Sequence, residues 1–272
     1  MAVRTAAGAV LLAMTVFIIF IAPSWVLPIA ISIVSAIAVY EMLHSTGFVK
    51  SKRLIIYSII MALLIPMWAF LDKIPELATA GLFLFVFLLL IDCLTEPRNT
   101  ALEVISGVFL TATVIPLFLS SLVDLYFMEN GRFLVSIPII AAYSSDVFAY
   151  LVGSKFGKRK LCPDISPNKT IEGSLGSLIL TPLILLLSGL ILHHVFYFRV
   201  NYIAMILYGI AGSFAGQIGD LSFSYVKRRF GIKDFGKLIP GHGGVLDRFD
   251  SMLLVAPLIG LLIVIFPAVS AM

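Results

Sequence analysis

Carboxylates and basic side chains gather near the ends of hydrophobic segments in the second half of the sequence. Asp220 lies about two helical turns before the end of one such segment, which finishes with the basic run Lys227-Arg228-Arg229. A carboxylate at membrane depth is costly and marks a functional site by default. Because Gln217, Asp220 and Ser224 are three or four residues apart, they share one helix face, and Lys227 continues that face.

The segment that follows combines glycines with charged residues. Gly241-His242-Gly243-Gly244 predicts a turn whose backbone N–H groups can face an anion, as in phosphate-binding nests. Positive charge surrounds this turn, from Lys227, Arg228, Lys233, Lys237 and Arg248. The alternative is a solvated basic loop that binds only anionic lipid headgroups. The dense alternation of Lys, Asp, Gly and His makes that alternative insufficient.

Two carboxylates on different helices, Asp220 and Asp247, are candidate ligands for Mg²⁺. This ion is usually bound by one or two carboxylates together with substrate phosphate oxygens. Asp250, three residues after Asp247, projects near it, and Asp146 is a further acid inside a hydrophobic segment. Both are additional candidate ligands. The alternative for Asp220 is a structural ion pair with a neighbouring Lys or Arg.

A second charged loop, residues 154–173, precedes another hydrophobic segment. Its stretch Ser166-Pro167-Asn168-Lys169-Thr170 predicts a turn before a helix, with Thr170 as the N-cap. The helix N-terminus would then present free N–H groups to a phosphate. Lys169 is therefore a candidate catalytic residue, and Asn168 and Glu172 are candidate substrate-binding residues.

The composition assigns these residues to a membrane protein. Hydrophobic residues make up 60% of the 272 residues and charged residues only 12%, whereas a soluble domain has about a quarter charged residues. A helix that spans a bilayer needs about 20 apolar residues. Nine segments meet this requirement, and we predict an all-α polytopic membrane protein with spans at 5–22, 24–44, 54–72, 76–94, 100–123, 132–153, 174–198, 202–226 and 250–271.

The distribution of Lys and Arg predicts the orientation. With the N-terminus in the cytoplasm, every Lys and Arg lies on the cytoplasmic side except Lys73, Arg132 and Arg199. This asymmetry follows the positive-inside rule, so we predict a cytoplasmic N-terminus and an external C-terminus. The location would be a bacterial inner (plasma) membrane, with the active site facing the cytoplasm.

Polar residues at membrane depth are confined to the second half of the chain. We predict a five-span scaffold or dimerisation region over residues 1–131 and a four-span catalytic region over residues 132–272, with cytoplasmic loops 154–173 and 227–249. Glu41, near the end of the second span, is expected to point outward to the cytoplasmic headgroups. No nucleic-acid partner is expected.

The stretch from Ser224 to Asp250 closely resembles the signature of the phosphatidate cytidylyltransferases, also called CDP-diglyceride synthetases. The matching residues are Ser224, Lys227-Arg228, Lys233-Asp234, Pro240-Gly241-His242-Gly243-Gly244, Asp247-Arg248 and Asp250. Residues 166–173 resemble a second block of the family. The resemblance is sharp over the C-terminal half and only hydropathic over residues 1–131.

This resemblance implies an integral membrane enzyme that converts CTP and phosphatidic acid into CDP-diacylglycerol and pyrophosphate in phospholipid biosynthesis. It also implies dependence on Mg²⁺, a K⁺ ion beside it, and a homodimer. The metal-binding acids would be Asp220 and Asp247. The predicted catalytic residues are these two with Lys169, Lys227, Arg228 and His242, and the predicted substrate-binding residues are Asn168, Glu172, Lys233, Lys237, Gly243, Gly244 and Arg248.

Two other functions compete with this interpretation. A CTP-dependent polyprenol or lipid kinase would share the nucleotide and the membrane, but it would release CDP instead of pyrophosphate. A secondary transporter would have interrupted helices in both halves of the sequence, whereas here the polar residues lie in one half and on one membrane face.

Overall fold

The computed structural model of the chain describes residues 2–71, 75–95, 101–239, 241 and 243–270, and this part is mainly helical, as predicted. The helices are α1 (Ala2–Val16), α2 (Val26–Ser45), α3 (Lys52–Leu71), α4 (Pro75–Thr95), α5 (Leu102–Phe127), α6 (Gly131–Leu134), α7 (Ser136–Phe156), α8 (Ile171–Phe196), α9 (Tyr202–Arg229), α10 (Leu246–Phe249) and α11 (Met252–Ile265). A π-helical turn, Phe17–Ile21, follows α1.

Within the described residues, eight helical segments are long and apolar enough to cross a membrane. They are Val26–Ser45, Lys52–Leu71, Glu76–Thr95, Leu102–Phe127, Gly131–Phe156, Ile171–Phe196, Tyr202–Arg229 and Leu246–Ile265. They correspond to the second to ninth predicted spans. The first predicted span contains the shorter apolar helix Gly8–Ile21, so a ninth crossing and the orientation of the termini stay predictions.

The described residues also form four short strands, which the sequence pattern does not predict. β1 (Lys160–Cys162) pairs antiparallel with β2 (Ser166–Thr170), and β3 (Arg199–Val200) pairs antiparallel with β4 (Val269–Ser270). The last predicted span, 250–271, is therefore too long at its end. Its helix stops at Ile265 because a residue before proline, here Phe266 before Pro267, disfavours the helical conformation.

One compact unit of the chain comprises Met1–Asp124 and Phe230–Arg248. In this unit α2 packs against α3, and α3 packs against α4. The segment that carries the glycine-rich turn contributes to the unit's apolar core, since Phe235 and Leu246 are fully buried. This turn therefore belongs to the same compact unit as the helices predicted to be scaffold.

The other compact unit comprises Leu125–Arg229 and Phe249–Met272, and its main helices are α7, α8, α9 and α11. Each of α7, α8 and α11 packs against α9. Contact is close where α9 has glycines: Gly209 faces Pro182 of α8, and Gly212 faces Ala141 of α7 and Ile259 of α11. Small residues allow such approach between membrane helices, so these glycines of α9 serve helix packing.

We predict that Gly209→Ala destabilises the protein by about 1–3 kcal/mol, as overpacking does in well-packed interiors. An added Cβ would lie 2.7 Å from the backbone nitrogen of Pro182, which cannot rotate away. The measurement is the thermal unfolding midpoint of detergent-purified protein. Gly8→Ala is the matched control, because its Cβ meets nothing within 4 Å. Equal midpoints for the two variants would contradict the packing role.

Candidate active site

Asp220 of α9 forms an ion pair with Lys169, which lies in the second charged loop. The Lys169 Nζ lies 2.6 Å from Asp220 Oδ2, and the Ser224 hydroxyl donates to Asp220 Oδ1 at 3.2 Å. Lys169 reaches this position because it is the penultimate residue of β2, and β2 leads directly into α8. Thr170 caps α8 by accepting a hydrogen bond from the Gly173 amide at 3.2 Å, which confirms the predicted N-cap.

A second lysine and two further aspartates complete a group that we call the acid cluster: Asp146, Asp220 and Asp250 with Lys169 and Lys227. Asp250 is 8% exposed, and its Oδ2 lies 4.0 Å from the Lys227 Nζ. Asp250 also interacts electrostatically with the charges of Asp220 and Asp146. The structure thus brings together three of the four predicted metal-binding acids.

Ser251 connects two of these acids. Its hydroxyl donates to both carboxylate oxygens of Asp146 at 3.3 Å, and its amide donates to Asp250 Oδ1 at 2.8 Å. The close approach of α9 to residues 250–251 also depends on Gly219, because a Cβ on Gly219 would lie 2.6 Å from the carbonyl oxygen of Asp250. Local packing and hydrogen bonds therefore hold the carboxylates in place.

The acid cluster combines three carboxyl groups with two ammonium groups. Carboxyl oxygens are ligands that Mg²⁺ uses in proteins. Within the described part of the chain, no three His, Cys, Asp or Glu side chains converge on one metal position. Mg²⁺ is commonly held by one or two carboxylates while waters and substrate phosphates supply the remaining oxygens, and its binding here stays a prediction.

A polar network lies beside the acid cluster and joins α7, α8 and α9. Ser145 and Ser213 share a hydrogen bond of 3.0 Å, and Ser213 donates to Ser177 at 3.2 Å. The Gln217 side chain donates to Ser177 at 2.8 Å and accepts from the Ser174 hydroxyl. The sequence placed Gln217 on the Asp220 face but gave no sign of its serine partners, because isolated serines are common in membrane helices.

In the other unit, Asp247 closes the glycine-rich loop. Its side chain is buried, with the residue 6% exposed, and its Oδ2 accepts from the Phe235 amide at 2.9 Å and from the Gly244 amide at 3.0 Å. Gly243 adopts φ +83°, a conformation that favours glycine, and its carbonyl accepts from the Ile239 amide at 2.9 Å. His242 lies outside the described residues.

These bonds change the interpretation of the predicted nest. The sequence predicts that N–H groups of this turn can face an anion, and the Gly244 N–H donates to the Asp247 carboxylate. The reason is that the loop contains its own anion, three residues along the chain. Substrate contact by Gly243 and Gly244 stays a prediction.

The prediction for Glu41 was wrong. It was expected to point outward to headgroups, but it is only 4% exposed and its carboxylate accepts hydrogen bonds from the amides of Val245 at 3.1 Å and Leu246 at 2.8 Å. These amides stand at the start of α10, where backbone N–H groups have no partner within the helix. The available signal was a charged residue inside a predicted span, where an acid needs a partner within the protein.

The lysines and arginines from position 227 onward that are predicted to contact substrate differ in burial: one is buried and the others are exposed. Lys227 is 9% exposed and belongs to the acid cluster. Arg228 is exposed and donates through Nε to the carbonyl of Ile165 at 3.2 Å, which attaches α9 to the β1–β2 turn. The remaining members are exposed, namely Lys233, Lys237 and Arg248. Their contacts with substrate stay predictions.

Two predicted substrate-binding residues lie in or beside the β1–β2 hairpin. Asn168 is exposed on β2. The Glu172 carboxylate accepts hydrogen bonds from the amides of Lys158 at 3.0 Å and Arg159 at 3.2 Å. The geometry gives Glu172 a part in holding the charged loop against the start of α8, and its contact with substrate stays a prediction.

Comparison with known proteins identifies the family. A family model described as the cytidylyltransferase family matches residues 2–266, which include both compact units. This chain belongs to the cytidylyltransferase family. It is therefore a nucleotidyltransferase, and with its eight described candidate spans it is an integral membrane protein.

Individual relatives of this cytidylyltransferase carry a more specific name. A phosphatidate cytidylyltransferase from Bacillus subtilis (strain 168) is 32% identical over 250 residues, which cover 88% of each chain. Proteins with the same name from Staphylococcus haemolyticus (strain JCSC1435) and Staphylococcus aureus (strain COL) are each 41% identical, over 136 and 141 residues. Each of these two alignments covers 50% of this chain and 51% of the relative.

We predict that Lys169 and Asp220 of this cytidylyltransferase stabilise each other. The side chains are 26% and 29% exposed, so the ion pair is partly shielded from water. A double-mutant cycle with Lys169→Met and Asp220→Asn should give a coupling energy of about 1 kcal/mol in unfolding measurements in detergent. A parallel cycle that pairs Asp220→Asn with Lys155→Met, an exposed lysine of α7, should give none. Equal coupling in the two cycles would refute the ion pair.

Proposed function

We propose that this enzyme transfers the cytidylyl group of CTP to phosphatidic acid, forming CDP-diacylglycerol and releasing pyrophosphate. The observation that carries the proposal is the alignment with the Bacillus subtilis phosphatidate cytidylyltransferase over 88% of both chains. The eight candidate spans suit a substrate whose acyl chains stay in the bilayer. We also propose an inner-membrane location, an active site facing the cytoplasm and a homodimer, as predicted from the sequence.

In the proposed reaction, a phosphate oxygen of phosphatidic acid attacks the α-phosphorus of CTP. The bond between the α-phosphorus and the oxygen that bridges to the β-phosphate then breaks, and pyrophosphate leaves with the electron pair. Because the nucleophile is already an anion, no side chain has to remove a proton from it. The barrier comes from charge repulsion and alignment, so catalysis is positioning together with electrostatic stabilisation.

The chain's own cations have the chemistry that this reaction needs. Lys169 and Lys227 sit within the acid cluster, and each ammonium has three donors, so each can contact a phosphate while it neutralises a carboxylate. Arg228 has guanidinium donors beyond the Nε that binds Ile165, and Lys237 and Arg248 are exposed. We propose that these five residues hold the triphosphate and the lipid phosphate.

We propose Asp220 and Asp247 as the residues that hold Mg²⁺, with Asp146 and Asp250 contributing to the negative field. The assignment rests on the resemblance to the family signature, and each aspartate has its own contacts: Asp220 with Lys169 and Ser224, and Asp247 with the Phe235 and Gly244 amides. When bound, Mg²⁺ neutralises phosphate charge at the reacting phosphorus and on the leaving group. A K⁺ site near these acids remains a prediction from the family resemblance.

The reaction is tested by omission. Purified enzyme in detergent should release pyrophosphate only when CTP, phosphatidic acid and Mg²⁺ are all present. Pyrophosphate release without phosphatidic acid would contradict the proposal. CDP as the product when a polyprenol is supplied would favour the kinase alternative.

We predict that Asp220→Asn and Asp247→Asn each lower turnover at least about 100-fold, because each would weaken the binding of the Mg²⁺ that offsets phosphate charge. The unfolding midpoint should show that each variant is folded. Glu129→Gln, an exposed acid between α5 and α6, makes the same kind of substitution and should leave turnover unchanged. Normal turnover in either aspartate variant would remove that residue from the proposed site.

A further inference from the structure

We propose that Glu41 is a positioning residue for the active site: its carboxylate fixes the backbone next to Asp247 and so orients the Asp247 side chain. The inference rests on the proposed role of Asp247. It assigns a part in the reaction to a residue of α2, in the region that the sequence predicts to be scaffold only.

The contacts of Glu41 fall on the two residues that immediately precede Asp247. Its Oε1 accepts from the Val245 amide at 3.1 Å and its Oε2 accepts from the Leu246 amide at 2.8 Å. Asp247 in turn accepts from the Gly244 amide. The amides of residues 244, 245 and 246 therefore donate to the carboxylates of Asp247 and Glu41. These hydrogen bonds fix the backbone that precedes Asp247.

The glycines of the loop fit the position of the Glu41 carboxylate. A Cβ on Gly244 would lie 2.6 Å from Glu41 Oε1, and a Cβ on Gly236 would overlap the same carboxylate. Any larger residue at either position would push the carboxylate away from the amides that it binds. The loop sequence is thus matched to an acid that approaches from α2.

The geometry requires a carboxylate and not an amide. Glu41 uses both of its oxygens as acceptors, whereas a glutamine has one acceptor oxygen and a donor NH₂ group. A glutamine would place donor against donor at either the Val245 or the Leu246 amide, and a buried donor without an acceptor is destabilising. The nearby charge of Asp247 repels Glu41, so the carboxylate is kept there despite an unfavourable neighbour.

The test compares three variants by steady-state kinetics in detergent. Glu41→Gln should lower kcat about 10–100-fold, as loss of a partner that orients a ligand does, and should raise the Mg²⁺ concentration for half-maximal activity. Glu41→Asp keeps two acceptor oxygens on a shorter side chain and should recover part of this loss. Glu103→Gln, an exposed acid in the first turn of α5, should match the unsubstituted enzyme.

A second readout is independent of turnover. Hydrogen–deuterium exchange should speed up in peptides that contain Val245 and Leu246 of the Glu41→Gln variant, because their amides lose a carboxylate acceptor. Peptides from α8, in the other compact unit, should exchange as before. If Glu41→Gln does not fold, Gly244→Ala displaces the same carboxylate by steric overlap and should produce the same rise in Mg²⁺ requirement.

The outcomes separate this inference from the proposed function. Kinetics of Glu41→Gln equal to those of Glu103→Gln would overturn the inference, even if Asp247→Asn is inactive. If Glu41→Gln does not fold, normal kinetics in both Glu41→Asp and Gly244→Ala would overturn it. Normal turnover in Asp247→Asn would instead refute the proposed role of Asp247. Faster exchange at residues 245–246 with an unchanged kcat and Mg²⁺ requirement would reduce Glu41 to a structural residue.

Discussion

A carboxylate buried in an apolar interior loses the water that stabilises its charge, and it persists only if other groups replace that water. This requirement applies to the buried acids in the second half of the cytidylyltransferase and to Glu41 on α2 in the first half. Asp247, Asp250 and Glu41 are each less than a tenth exposed. The glycines, hydroxyls and lysines around them occupy the positions that make this burial possible.

The chain meets the requirement in two different ways. In the acid cluster, ammonium groups and the hydroxyls of Ser224 and Ser251 compensate the carboxyl groups. In the glycine-rich loop, backbone amides compensate Asp247 and Glu41. Lysine side chains can change partners when phosphates bind and leave. Backbone amides, in contrast, fix the conformation of the loop that contains them.

The sequence predicted the helical membrane fold and the polar residues of the C-terminal half, because long apolar runs and buried charges are signals that a single segment carries. It also predicted the Thr170 cap, which is a local pattern. It missed the four strands, which are only two to five residues long. It missed the pairing of Lys169 with Asp220 and the contact of Glu41 with residues 245–246, because these join residues far apart in sequence.

The long sequence separation between Glu41 and the amides that donate to it has a consequence for biogenesis. The Val245 amide lies 204 residues after Glu41, so at typical synthesis rates roughly 10–40 s pass between the appearance of the acid and that of its donors. During this interval α2 is a membrane segment with an uncompensated acid near one end. The first compact unit cannot reach its final structure until the ribosome has produced the loop, and its assembly is therefore one of the last events in the synthesis of the chain.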